Sequence, residues 1–182
     1  MKIVSMFLAA SILAAVATLA FAQTSPSTQA VAPGCGDKKI KWDVRTDRSK
    51  HPIAKPETGK ALVYFLQDDA NFQSKPAPTT RFGLNGAWVG ATQSNAYFYV
   101  AIDPGEQHLC AGWQSWVSLA TGHTSAADHF TAEAGKSCFF IVRDYYVNHE
   151  HGPASMKLEP INSDEAELLM TKFGFSTSQA RK

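Results

Sequence analysis

His149 and His151 stand two apart in His-Glu-His-Gly-Pro, and in an extended segment two imidazoles at that spacing point the same way. That is the beginning of a weak Zn²⁺ or Cu²⁺ site, which takes further nitrogen or carboxylate ligands. Asp144 or Glu150 would add a carboxylate, and His123 or His129 a third nitrogen. Five of the six histidines fall between His108 and His151. With no third ligand at a defined spacing, an exposed polar loop is the favoured reading of the same residues. Trp113 and Trp116, with Trp88, carry the chemistry of an aromatic platform for a sugar ring or a peptide. Trp113 shares a strand face with Leu109 and Ala111, which assigns it to the core and leaves Trp116 as the candidate ligand surface.

Three cysteines are present, Cys35, Cys110 and Cys138. In an oxidising compartment two pair and one is left over. Loop entropy values Cys35–Cys110 at roughly 4.5 kcal/mol and Cys110–Cys138 at about 3.5 kcal/mol, too small a gap to choose between them. Asp68-Asp69 is a carboxylate pair, but neighbours in an extended chain face opposite ways, so a solvated loop is expected there. Lys38, Lys39 and Lys41 read as a surface patch. The chain has no G-x-S-x-G elbow, dinucleotide or phosphate loop, HExxH or CxxC, so no cofactor and no catalytic residue is expected. A hydrolase stands only as a third reading, behind a binding or structural module and a metal or glycan binder.

The elements that must position these residues are strands. Residues 1–22 have a basic start, an apolar run and Ala20-Phe21-Ala22, the pattern of a cleaved secretory leader. Cleavage leaves a mature chain of about 160 residues, one domain's worth. Losing Lys2 with the leader brings the 17 basic residues level with the 16 acidic ones. That balance argues against nucleic acid or an anionic membrane as partner. Residues 23–39 read as a flexible linker, 40–175 as the domain and 176–182 as a fraying tail.

Ile40–Val44 alternates as a short first strand, and Lys60–Gln67 is a continuous apolar run fit for a central strand. Asp68–Pro78 follows as a loop. Asn85-Gly86 between Thr80–Leu84 and Ala87–Ala91 is a type I′ hairpin signal. Tyr97–Trp113 reads as a hairpin about Asp103-Pro104-Gly105-Glu106, with Phe98, Val100 and Ile102 on one apolar face and Leu109, Ala111 and Trp113 on that of the other arm. His108 and Cys110 fall opposite. Asp128–Glu133 and Ser137–Arg143 read as a third hairpin, after a loop or weak strand over Ser115–Ala127, and Ser155–Ile161 as a last strand. Asn162 caps a helix, with Glu165 completing a capping box, Leu168, Leu169 and Phe173 as its buried stripe and Gly174 as its stop.

Short strands separated by turns, with one late helix, predict a mainly β fold: an antiparallel β-sandwich of immunoglobulin or prealbumin type with a C-terminal α-helix, ahead of a closed barrel. Gly59 to Pro160 resembles the bacterial secreted family called domain of unknown function 2846, which is similar to PEGA-type β-sandwich modules. Asn85-Gly86 with Val89-Gly90, Pro104-Gly105-Glu106 and Ala134-Gly135-Lys136 carry the resemblance. The histidine after the Pro-Gly-Glu turn comes one position late, at His108. The resemblance implies a periplasmic or secreted module of the cell envelope with no assigned activity. Its partner would be an envelope protein or a glycan.

Overall fold

The computed structural model describes residues 35–114, 124–147 and 154–181. Ten strands and one helix build it: β1 (Trp42–Asp47), β2 (Ala61–Phe72), β3 (Thr79–Leu84), β4 (Ala87–Gln93), β5 (Ala96–Ile102), β6 (Gly105–Trp113), β7 (Ser125–Ala132), β8 (Ser137–Tyr146), β9 (Ser155–Ile161), α1 (Ser163–Met170) and β10 (Gly174–Ala180). They form a β-sandwich of a six-stranded sheet, ordered β1-β10-β5-β2-β8-β9, and a four-stranded sheet, ordered β4-β3-β6-β7. The larger sheet is mixed, not purely antiparallel: β8 runs parallel to β2, and β10 parallel to β5.

The apolar run at the start of β2 makes it a central strand covered on both faces, as expected of such a run. Val63 and Phe65 face the space between the sheets, where Phe82, Leu109, Phe98, Phe140 and Val142 complete the core. Leu62, Tyr64 and Leu66 face the other way, under Ala166, Met170 and Phe173 of the helix region. Tyr64 Oη accepts from Ala54 N–H (2.7 Å) and donates to Ala54 C=O (3.0 Å), and Tyr97 Oη donates to Pro52 C=O (3.1 Å). Two buried tyrosines thereby hold the loop after β1 on the sheet.

The Asn-Gly turn forms as expected, with positive φ at Asn85 (49°) and Gly86 (84°) joining β3 to β4. The other two expected hairpins do not. β5 and β6 lie in different sheets and face each other across the core, and so do β7 and β8. Gly105, at φ 125°, takes the chain out of one sheet and into the other. The inward residues are those predicted, because both arrangements bury the same alternate side chains; only the edge partners differ.

Three further corrections follow. β2 continues through Asp68 and Asp69 to Phe72, where a loop was expected. The tail is strand β10, paired with β1 along its length and with β5 at its start. Its serines seal an edge: Ser176 Oγ donates to Ala91 C=O (3.0 Å), and Ala91 N–H donates to Ser178 Oγ (3.0 Å). The helix turns Ala166 and Met170 inward, while Leu168 is 59% exposed. Asn162 Oδ1 does accept from Glu165 N–H (2.9 Å), but the Glu165 carboxylate is taken by Arg143, which also holds Asp68 and Glu159. Asn162→Ala is expected to cost about 1 kcal/mol in urea unfolding, the ordinary worth of such a cap.

Candidate functional site

The outer face of the four-stranded sheet carries the most unusual chemistry. Alternation puts Arg81 of β3, Trp88 of β4 and His108, Cys110 and Gly112 of β6 on that face. Cys110 is joined to Cys35 by a disulfide, with Cα atoms 5.2 Å apart. Cys138 is the unpaired thiol: it packs toward the interlayer core, whereas Cys110 points out of the sandwich. The disulfide lays residues 35–41 over the sheet, so the C-terminal end of the expected linker is part of the domain.

That covering segment is fitted closely. A Cβ on Gly36 would sit 2.6 Å from Trp88 Cδ1, so only glycine allows the contact. Trp88 Nε1 donates to Asp37 C=O (2.9 Å). Arg81 Nη1 donates to the carbonyls of Ile40 (2.7 Å) and Lys38 (3.3 Å), and Nη2 to that of Trp113 (3.5 Å). The guanidinium carbon lies 4.3 Å from the Trp88 ring centroid, within cation–π range. Lys41 Nζ donates to Gln114 C=O, while the Gln114 amide bonds both main-chain groups of Trp42 (2.6 and 3.0 Å).

Between segment and sheet remains a cleft of about 130 Å³, lined chiefly by Lys38, Lys41, Arg81, Trp88, Gly112 and Thr124. Arg81 is only 4% exposed, and its Nε–H has no partner among the described residues. Burial lowers the Arg81 pKa, and burial together with the Arg81 and Arg181 charges lowers that of Lys41. Both side chains therefore pay for their charge.

A second cluster lies inside the sandwich, at the end where β6 meets β8. Asp144 is 1% exposed; its Oδ1 accepts from Trp113 Nε1 (2.9 Å), and its Oδ2 from Gln67 Nε2 (3.0 Å). Gln67 Nε2 also reaches Asp69 Oδ1 (2.9 Å) and Pro78 C=O (3.0 Å), and Thr92 Oγ1 donates to Gln67 Oε1 (2.6 Å). Burial, then the charge of nearby Asp69, pushes Asp144 up to about 8; burial raises Asp69 as well. Asp68 and Asp69 do face opposite ways, but Asp69 is interior and not solvated. Asp144, a candidate metal carboxylate, is spent in this network instead.

His108 and His129 face each other across β6 and β7, with ring centroids 6.4 Å apart and Glu106 Oε1 3.8 Å from His108 Nε2. Among the described residues no group of three or more His, Cys, Asp and Glu converges as a metal site. His149, His151, His123, Glu150 and Trp116 lie outside the described residues. Trp113 is in the core, against Phe72 and Ala154. Arg81 was missed because an outward-facing cation on a strand reads as solvated; the segment that covers it is distant in sequence. No family model, curated protein or solved structure matches this chain.

Proposed function

We propose that this is an exported, non-enzymatic β-sandwich module that acts by binding in the cell envelope, periplasmic or secreted. Its ligand surface is the outer face of the four-stranded sheet, under residues 35–41. The cleft beside Arg81 and Trp88 carries this reading, because it is a shaped space walled by cations and an indole rather than a closed core. The leader-like residues 1–22 support export, and the Cys35–Cys110 disulfide fits an oxidising compartment. Among the described residues no helix is long and apolar enough to cross a membrane. The resemblance to domain of unknown function 2846 points the same way.

Expression of the full chain in a bacterium, followed by osmotic-shock fractionation and intact mass, tests the exported half of this reading. The expected result is a shock-released chain that has lost residues 1–22 and two thiol hydrogens. A chain that stays uncleaved and reduced inside the cell would refute it. The binding half is tested through the Trp88 indole, as follows.

A further inference from the structure

We propose that the cleft binds a small organic anion, a carboxylate carried on a flat, ring-sized apolar body, with the carboxylate on Arg81 and Lys41 and the body along Trp88. The inference rests on the outer face being a ligand surface, and names what that surface takes.

The charge balance comes first. Arg81 is almost fully buried, yet its hydrogen-bond partners among the described residues are three carbonyl oxygens and no carboxylate. A buried cation without a counter-ion is costly, and proteins normally pair it. No Asp or Glu among the described residues lines the cleft. Asp37 accepts from the Lys39 N–H in its own turn, and Asp43 pairs with Arg181 (2.7 Å). Residues 23–34 and 115–123, the stretches that continue from the cleft's walls, contain no acidic residue at all. No described residue supplies an anion for this place, and Lys38 and Lys41 add two more cations beside it.

Size and shape narrow the class. A cavity of about 150 Å³ lined by apolar groups takes up benzene. The cleft here is about 130 Å³ and has one indole wall, so it accepts a body of that order and little more. A carboxylate suits the donor set because the guanidinium keeps an Nη2–H beyond its bond to Trp113 and the ammonium two protons beyond its bond to Gln114, and charge-assisted bonds are the strong ones.

The test uses the mature chain with its disulfide intact, labelled with ¹⁵N and titrated separately with benzoate, benzamide and inorganic phosphate. The Trp88 indole N–H and the Arg81 Nε–H report binding. Benzoate is expected to shift both saturably and to bind at least about tenfold tighter than benzamide, the worth of one charge-assisted bond. Lys41→Met is expected to weaken benzoate by about tenfold and leave benzamide unchanged. Arg81→Gln risks misfolding, so the wild-type comparison of acid with amide stands independently of any variant. If benzamide or phosphate binds as tightly as benzoate, the proposed class is wrong, although a shifted Trp88 signal would keep the outer face as a ligand surface. If none of the probes moves Trp88, this inference fails; if a dialysed envelope extract leaves it unmoved too, the binding reading falls with it.

Discussion

Replacing Cys35 and Cys110 together by serine is expected to destabilise the protein by about 4–5 kcal/mol, with a fall in Tm of roughly 10–15 °C. The magnitude follows from the length of the closed loop, 75 residues in sequence separation, which the reduced unfolded chain is free to expand. The folded state loses as well. Residues 35–41 would be left with the Arg81, Trp88 and Gln114 hydrogen bonds and that of Arg181 N–H to Lys41 C=O. Urea unfolding without reductant measures the effect, and Cys138→Ser is the control. Cys138 makes no disulfide, so its replacement is expected to cost under about 1 kcal/mol, the usual scale for a small, half-buried side chain. A double variant as stable as wild type would mean that residues 35–41 do not depend on the bridge. The same variant is expected to lose benzoate binding, because the cleft has the covering segment as its outer wall.

Stability is expected to fall as pH rises from about 4 to about 8, through Asp144. In the unfolded chain this carboxyl gives up its proton near its ordinary value of 3.8, whereas in the fold it holds the proton up to about 8. Between those values the native state binds a proton that the unfolded state does not, so raising pH favours unfolding. Below the window both forms are protonated, and above it both are ionised, so the dependence vanishes at either end. Asp144→Asn is expected to remove most of this slope and to stabilise the protein at pH 8 by about 2–4 kcal/mol, with little change near or below about pH 4. The amide suits the site: its oxygen still accepts from Trp113 Nε1, and its NH₂ finds Asp69 nearby. Gln67 keeps two acceptors, Asp69 Oδ1 and Pro78 C=O, for its two protons. Asp144→Ala is expected to destabilise at every pH, because it strands the Trp113 N–H in the interior. Urea midpoints from about pH 4 to 9 decide the matter, and parallel slopes for wild type and Asp144→Asn would show that Asp144 is not the group responsible.

Sequence alone determined which side chains of most strands face inward. Alternation at Phe98, Val100 and Ile102, and at Leu109, Ala111 and Trp113, is local and survives any choice of partner. The Asn85-Gly86 turn and the Asn162 cap were legible for the same reason, since each is set by one or two backbone angles. Partners were not legible. Pro104-Gly105 and Ala134-Gly135 reverse the chain, and a reversal serves a crossing between sheets as well as a hairpin. Which edge β5 takes depends on β2 and β10, dozens of residues away in sequence. Environments were hidden in the same way. Asp69 had its facing predicted and its burial missed, because the other half of its surroundings comes from β8. Arg81 stands on an outward face, where a cation normally meets water. Only the three-dimensional course of residues 35–41, held through Cys110, closes that face over it and turns a solvated charge into a buried cation bonded, among the described residues, to carbonyls alone.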